Sequence, residues 1–451
     1  MDTQSNQLRV EFTKADLRRL IVPLVIEQLL SITVGLSDSL MVSQVGEAAI
    51  SAVSLVDTVN VLLVNAFASL ATGGAVITGQ YLGRREVGKA GHSAQQLLLF
   101  MAEVSLAVMV LFYLGKGFVL NVVFGQVEAD VAAYANTYYM IVEASIPFLA
   151  LYSAGAALFR VMGNSGTSMW VSTAMNAINV VGNGILIFVF HRGVEGVAIP
   201  TLVSRIFAAA AMLVLLRRPN LPIQVERFTF RHDRFVVKNI LHFGVPNGIE
   251  GSMFQLGKIL LLSTVSVLGT ASVAANAIGN TLASFQVVPG TALGLAIVTV
   301  VSRCVGASEY DRARYYTKKM MRTAYLYTVL VIALILACLP LILKLYNVSD
   351  QAREWATQIL WMHGLCGILI WPLAFTLPQA LRAAGDTHFT MVASTVSMWT
   401  LRVGLGVLLG RYWGFGVLGI WMAMFADWAL RAALFVPRFH GHKWETMGLE
   451  N

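Results

Sequence analysis

Apolar residues fall along this chain in long continuous runs, not in the stripes of an amphipathic helix or the alternation of a strand. A run of about 20 apolar residues can cross a hydrocarbon core of about 30 Å as a helix, whereas barrel strands give alternating segments of about 10 residues. The pattern therefore predicts an all-α membrane protein with twelve transmembrane helices. Their approximate limits are 18–42, 52–78, 93–114, 131–155, 168–190, 194–216, 240–266, 277–300, 320–343, 355–378, 390–410 and 415–437.

The composition excludes a soluble protein. Apolar residues make up 57% of the 451 residues and charged residues 12%, against roughly 45–50% and about 25% in soluble domains. Most of the surface must therefore face something other than water. Charged residues precede the first apolar run and no small-residue cleavage site follows it, so we expect this run to be retained as a helix.

Lysine and arginine lie mainly in alternate connections between the predicted helices. The poorer set of connections holds only Lys116, Arg192, Lys344, Arg353 and Arg411. Because positive residues favour the cytoplasmic side, this asymmetry predicts a multi-pass protein of the plasma (inner) membrane with both termini in the cytoplasm. The same loops account for the formal charge of +8, so we expect no nucleic-acid partner.

The chain contains an internal repeat. Short similar segments recur at an offset of 223 in residue number, which falls to 222 at the last pair. The pairs are 23–27 with 246–250, 43–48 with 266–271, 83–86 with 306–309 and 160–165 with 382–387. The repeat predicts two similar halves with six helices each.

The even number of helices in each half makes the two repeats parallel, related by a pseudo-two-fold axis along the membrane normal around a central cavity. We predict an amino-terminal lobe over 1–216, a cytoplasmic connecting loop over 217–239 and a carboxy-terminal lobe over 240–451. Parallel repeats are typical of secondary transporters, in which substrate binds between the halves and access alternates as they rock.

Several segments resemble the multidrug and toxic compound extrusion (MATE) transporters. They are Pro23, 38–43 (DSLMVS), Gly46 and Ala48; 80–83 (QYLG) with 89–90 (KA); 159–160 (FR) with 163–165 (GNS); Asn179 and Asn183 through Phe188; and 193–204. The resemblance implies a secondary active antiporter that exports organic, often cationic and amphipathic, compounds in exchange for H⁺ or Na⁺. We expect no cofactor besides the coupling ion, small-molecule drugs or toxins and the lipid bilayer as partners, and a functional monomer.

The family has branches that differ in their acidic residues. The NorM-like branch has further carboxylates in helices seven and ten, where this chain has Phe254 and Trp371. Several relatives have a second acid in helix five where this chain has Asn183. The sequence therefore looks closer to the DinF-like branch, with Asp38 coupling without a second carboxylate close by.

Acidic and amide residues in the first half are candidates for cation coupling. A carboxylate within a membrane helix costs about 2.5–3.5 kcal/mol on insertion scales, so it usually has a partner or a function. Asp38 and Glu27 lie on one face of helix one, about 16 Å apart, and Asp38, Asn183 and Thr201 fall in the outer half of their helices. The residues predict a polar cluster of Asp38, Asn179, Asn183 and Thr201 that keeps Asp38 protonated or binds Na⁺ at Asp38, Asn179 and Asn183. The alternative is hydrogen bonding that only holds the helices together.

The second half supplies candidates for the substrate cavity. These are Glu250, Met253, Phe254, Lys258 and Phe285, and Lys258 is a possible neutralising partner of Glu250. Aromatic and methionine side chains suit an adaptable drug cavity, although packing or lipid contact is the alternative for each of them.

The predicted membrane charges differ between the halves. The first half has Glu27, Asp38, Asp57, Glu103 and Glu143 against Arg205, and the second has Glu250 and Asp427 against Lys258, Arg402 and Arg431. Asp427 and Arg431, four residues apart on one helix, predict an ion pair. A coupling cation should prefer the first half.

Two other functions are alternatives to the antiporter. A lipid-linked saccharide flippase of the same superfamily would favour a basic cavity, which Lys258 and Arg402 could form. A membrane-embedded enzyme is disfavoured, because the chain has no HExxH or GxSxG element. We therefore expect a transporter and not an enzyme.

Overall fold

The computed structural model describes residues 10–125, 128–223, 231–346 and 348–449. Each predicted apolar run falls on one helix or on two consecutive helices, and no strand occurs within these described ranges. Parts of these predictions lie outside the described residues: 1–9 at the start of the amino-terminal lobe, 224–230 of the connecting loop, and 450–451 at the end of the carboxy-terminal lobe. The all-α membrane fold is confirmed.

The first six helical segments follow one another with short connections. They are α1 (Lys14–Ser43), α2 (Glu47–Gly83), α3 (Val87–Leu114), α4 in two pieces (Ala129–Glu143 and Ile146–Val161), α5 (Ser165–Val189) and α6 (Glu195–Leu215). A short helical segment over residues 116–123 follows α3. Thr13 caps α1, where its hydroxyl accepts from the Asp16 N–H at 3.1 Å and its own N–H donates to the Asp16 carboxylate at 2.9 Å.

The remaining helices follow in the same order, although the second of them is in two pieces. They are α7 (Arg234–Val267), α8 in two pieces (Thr270–Gln286 and Val288–Gly306), α9 (Tyr310–Lys344), α10 in two pieces (Asp350–Leu369 and Pro372–Ala384), α11 (Thr387–Tyr412) and α12 (Gly416–His440). A single turn of 3₁₀-helix, Lys443–Thr446, follows α12.

Length and apolar composition allow most of these helices to cross a membrane. Among the described residues nine helices qualify, and the two bent pairs α4 and α10, with bends of 45° and 59°, bring the number to eleven. The helix outside this set is α7, which carries Glu250 and Lys258. The protein is therefore a multi-pass membrane protein, and α7 alone of its helices does not contain a stretch apolar enough to meet this criterion within the described residues.

The chain forms two compact units. The first unit is Thr13–Gly248, and the second is Ile249–Asn451 together with the residues that precede Thr13. The predicted lobe limits remain a prediction. In the first unit the core contains tightly packed small residues, and an added Cβ at Gly73 of α2 would lie 2.6 Å from the backbone nitrogen of Gly244 in α7. Such close approach requires glycine on both helices.

The internal repeat is visible in the backbone as well as in the sequence. Residues with positive φ recur in pairs at the repeat offset of 223 in residue number, or at 222. The pairs are Gly46 and Gly269, Arg85 and Ser308, and Gly163 and Gly385. These residues lie at helix ends, where the left-handed conformation terminates one helix and sets the direction of the next. The two units therefore share the same turn chemistry.

Candidate functional site

Four polar side chains of the first unit form a hydrogen-bonded chain across α1, α5 and α6. Asn183 donates from Nδ2 to Asp38 Oδ1 at 2.8 Å and lies 3.4 Å from Asn179 Oδ1. Asn179 in turn donates to the hydroxyl of Thr201 at 3.0 Å. The structure thus brings together the four residues that their depth in the helices predicted, and their role in coupling remains a prediction.

The same four residues offer oxygen atoms that suit a cation. Asn183 is fully buried, and its Oδ1 has no hydrogen-bond partner among the described residues. Asp38 is half-buried and supplies a carboxylate, while Asn179 and Thr201 add an amide oxygen and a hydroxyl. Oxygen ligands of this kind suit hard cations such as Na⁺, and a carboxylate can instead take up a proton. The residues present fit either coupling ion.

The first unit also contains a second group of charged and polar side chains. Tyr138 on α4 donates to Asp57 on α2 at 3.2 Å, and the positive charge of Arg205 acts on Asp38, Asp57 and Glu143. Both carboxyl oxygens of Glu143 are buried with no hydrogen-bond partner in the described part of the chain. Sequence reasoning identified the acids as membrane charges but missed Tyr138, because spacing along α4 does not say which turn faces α2.

Glu27 lies apart from this group. Its carboxylate is 3.5 Å from Arg160 Nη1 and accepts a hydrogen bond from Ser168 at 3.0 Å. No hydrogen bond between described residues joins Glu27 to Asp38, although both lie on α1. The two acids therefore have different partners, although the sequence places them on one face of the helix.

The second unit contains a buried network of ion pairs. Arg382 donates to both oxygens of Glu250, at 2.6 and 2.7 Å, and Arg431 Nη1 lies 3.8 Å from the same carboxylate. Arg431 also donates from Nε to Asp427 at 2.8 Å, which confirms the ion pair that their spacing predicted. The partner of Glu250 is Arg382, so the possible pairing with Lys258 is not found among the described residues. Arg382 contacts Glu250 from the carboxyl end of α10. The two residues are far apart in the sequence, so their spacing could not predict this contact.

The predicted cavity residues do not all join this network. The Arg402 guanidinium lies 4.9 Å from the centre of the Phe254 ring, and Phe375 meets the same ring edge-on at 6.3 Å. Lys258 is exposed, while Met253 and Phe285 are half-buried. The structure therefore places Glu250 and Phe254 in one polar and aromatic cluster, and the role of each cavity residue remains a prediction.

Comparison with known proteins identifies the family. The MatE family model matches residues 23–185 and 246–408, and these two segments are related by the offset of the internal repeat at both their starts and their ends. The transporter YisQ of Bacillus subtilis, itself uncharacterised, is 26% identical over 95% of this chain and 94% of its own length. A probable multidrug resistance protein NorM of Thermotoga maritima is 23% identical over 96% of this chain and 93% of its own.

A solved structure agrees with these sequence matches. The outward-facing structure of a multidrug resistance MATE family transporter of the MOP superfamily superposes with a TM-score of 0.88 at 18% identity, covering 98% of this chain and 99% of that one. Members and structural neighbours of the family are transporters and not enzymes, and these matches do not favour the flippase alternative. Since the family model covers more than half of its residues in two repeated segments, this chain belongs to the MatE family of membrane transporters.

Proposed function

We propose that this protein is a secondary active multidrug efflux antiporter, which exports organic, often cationic and amphipathic, compounds in exchange for H⁺ or Na⁺ by alternating access. The observation that supports this proposal is the chain of hydrogen bonds from Asp38 through Asn183 and Asn179 to Thr201. The matched NorM relative is named a probable multidrug resistance protein, which favours drugs or toxins as the exported compounds.

The coupling step follows from the charge state of Asp38. A charged Asp38 accepts a charge-assisted hydrogen bond from Asn183, and protonation weakens that bond. The charge state therefore biases how tightly α1 is held against α5, and a ligand or ion that binds one packing better shifts the equilibrium toward it. Asp38, Asn179 and Asn183 would hold Na⁺. The positive charge of Na⁺ would then act on Asp38 in place of the proton.

The charge distribution also supports the finer parts of the proposal. In the second unit Glu250 and Asp427 are both held by arginine, so the first unit has the acids that remain available for coupling. This distribution supports the DinF-like branch rather than the NorM-like branch. We further propose that the protein acts as a monomer in the inner membrane, with both termini in the cytoplasm as the lysine and arginine asymmetry predicts.

Transport in proteoliposomes tests this function. Purified protein is reconstituted and the movement of ethidium, an organic cation, is followed under an imposed proton gradient and then under a sodium gradient. We expect one of the two gradients to drive ethidium transport by the wild type, and Asp38→Asn to reduce it to the level of protein-free vesicles. Asp350→Asn is the matched control, because it makes the same chemical change at a fully exposed carboxylate.

The outcomes separate the parts of the proposal. Normal transport by Asp38→Asn would refute the coupling assignment. Absence of ethidium movement under both gradients, with the wild type correctly folded, would refute export of organic cations. The gradient that drives transport identifies the coupling ion.

A further inference from the structure

The second unit carries more positive than negative charge in the cluster of side chains around Glu250 and Asp427. Its acids are Glu250 and Asp427, and its bases are Lys258, Arg382, Arg402 and Arg431. A charged side chain in a membrane protein is costly without a partner and usually marks a functional site. The two surplus positive charges therefore need an explanation.

Both acids are already held by the other two arginines. Arg382 binds both oxygens of Glu250 at 2.6 and 2.7 Å. Asp427 Oδ1 accepts from Arg431 Nε at 2.8 Å and from the Ser397 hydroxyl at 2.6 Å. Asp427 Oδ2 has no hydrogen-bond partner among the described residues and faces Arg402 from 3.9 Å, so Arg402 has a distant counter-charge and Lys258 has none.

Arg402 and Lys258 are the two surplus charges. Arg402 Nη1 lies 3.9 Å from Asp427 Oδ2, which is too far for a hydrogen bond. The Nε of Arg402 is buried and has no hydrogen-bond partner among the described residues. Lys258 forms no ion pair within 4.0 Å in the described part of the chain, and its side chain is exposed. An arginine with an unused buried donor and a lysine without an ion pair are donors that suit an anion.

Each of the two residues adjoins, along its own helix, a tight contact between α7 and α11. An added Cβ on Gly257 would lie 2.4 Å from Met398 Cε and 3.2 Å from Val403 Cγ2, so α7 packs closely against α11 at this level. Lys258 follows Gly257 and Arg402 precedes Val403. The charge of Arg402 acts on Lys258, and bringing two like charges together is unfavourable unless a negative charge joins them.

Aromatic rings adjoin this pair on one side. Phe254 is one helical turn before Lys258 on α7, and its ring lies under the Arg402 guanidinium at 4.9 Å. Phe375 meets Phe254 edge-on and stacks on Trp371 at 5.1 Å between ring centres. A ligand whose charged group lies at Lys258 and Arg402 therefore has an aromatic surface for its apolar part.

We propose that Lys258 and Arg402 form a binding site in the second unit for an anionic group, a carboxylate, sulfonate or phosphate, attached to an aromatic or apolar body. The site would accept amphipathic anions and zwitterions as well as the organic cations considered above. That such an anion is carried across the membrane rests on the proposed transport function, but its binding does not. A free anion and the headgroup of an anionic lipid share the required chemistry.

A pair of probes that differ only in charge tests the site. Full-length protein in phosphatidylcholine nanodiscs is incubated at pH 7 with radiolabelled 1-naphthaleneacetate, and bound label is displaced by unlabelled 1-naphthaleneacetate or by neutral 1-naphthaleneacetamide. We expect the carboxylate to bind the wild type at least about tenfold more tightly than the amide, since charged hydrogen bonds contribute that much.

The variants assign the preference to the two residues. Lys258→Gln and Arg402→Gln should each remove it, while Lys258→Arg should retain it. Arg411→Gln is the matched control, because it removes a positive charge from an exposed position on α11. If Arg402→Gln fails to fold, Lys258→Gln at its exposed position decides the question alone. Equal binding of acid and amide by the wild type, or an unchanged preference in Lys258→Gln, would overturn the proposal.

Adding phosphatidylglycerol to the nanodiscs identifies the source of the anion. Displacement of naphthaleneacetate from the wild type by this lipid supports a headgroup as the ligand, and undiminished binding supports a free anion. Both results uphold an anion site. The measurement uses no ion gradient, so its failure leaves the ethidium experiment untouched, and absence of ethidium export would not remove a charge-dependent binding of naphthaleneacetate.

Discussion

Replacing Gly73 by alanine should lower the stability of the first unit, because the new methyl group would clash with the backbone of α7. The added Cβ would lie 2.6 Å from Gly244 N, 2.7 Å from Gly244 Cα and 2.9 Å from Phe243 C. Ordinary van der Waals contact begins near 3.4 Å. Backbone atoms cannot rotate away as the end of a side chain can, so α2 and α7 must separate by several tenths of an ångström.

The size of the effect follows from a comparison with Gly35. Overpacking of this kind costs about 1–3 kcal/mol, while a change from glycine to alanine within a helix gains about 1 kcal/mol. Gly35 of α1 has no atom within 4 Å of its added Cβ, so Gly35→Ala shows the helix gain alone. The difference between the two variants isolates the clash at about 2 kcal/mol, which corresponds to about 4–8 °C for a cooperative unit of 150–250 residues.

The assay is the thermal midpoint of each purified variant in one detergent, read as the loss of the monodisperse peak on size-exclusion chromatography. Gly73→Ala should melt below the wild type and Gly35→Ala at or above it. A midpoint for Gly73→Ala equal to or above that of Gly35→Ala would refute the contact, because the two changes differ only in what the methyl group meets.

Two further changes test ion pairs of the second unit. Asp427→Asn should cost about 3–5 kcal/mol of stability, because it removes the carboxylate 2.8 Å from Arg431 and leaves that buried charge with only the more distant Glu250; thermal midpoints measure the loss. Burial opposes the charge of Glu445, but hydrogen bonds from Arg314 and His442 outweigh it and hold the Glu445 pKa below its usual 4.5. The contribution of charged Glu445 to stability is thus complete above pH 4.5 and is lost as the pH falls through the lowered pKa. The difference in thermal midpoint between wild type and Glu445→Gln, present at pH 7, should therefore disappear in acid.

Each of these predictions has its own control and contrary result. Asp350→Asn breaks an exposed pair with Arg353 and should change stability by less than about 1 kcal/mol; an equal effect of Asp427→Asn would contradict the buried pairing. A gap between wild type and Glu445→Gln that persists unchanged well below pH 4.5 would show that the Glu445 carboxylate is not the stabilising group.

Most of the fold could be predicted from the sequence because a membrane simplifies the problem. Backbone groups in lipid must be satisfied within the segment, so a long apolar run specifies a helix almost by itself. Breaks within the predicted runs were harder to find. The bends of 45° in α4 and 59° in α10 lie inside apolar runs, and a hydropathy pattern does not register a change of direction.

The candidate site, too, could be predicted only in part from the sequence. Depth along a helix is a one-dimensional quantity, so the sequence alone could group Asp38, Asn183 and Thr201. The direction of a side chain around the helix depends on packing. For this reason the sequence missed Tyr138 beside Asp57 and offered Lys258, not Arg382, as the possible partner of Glu250.

The repeat itself indicates which acids belong to the scaffold. Glu27 and Glu250 occupy equivalent positions at the repeat offset of 223, and Arg160 and Arg382 are equivalent at 222. In each unit the glutamate faces its own arginine, at 3.5 Å in the first and 2.6 Å in the second. A pair that both repeats retain is best explained by what both must do, which is to hold the first helix of the unit against the end of the fourth. This reasoning favours a structural role for Glu27, and its predicted role in coupling stays a prediction.

Residues that differ between equivalent positions are the better candidates for function. The position equivalent to Asp38 at an offset of 223 is Leu261, which is buried in the apolar core of the second unit. Arg402 is, at the same offset, the equivalent of Asn179. The same scaffold thus has a carboxylate and an amide in one repeat, and a leucine and an arginine in the other. The first unit then favours a cation and the second an anion, which is the asymmetry that the ethidium and naphthaleneacetate experiments measure separately.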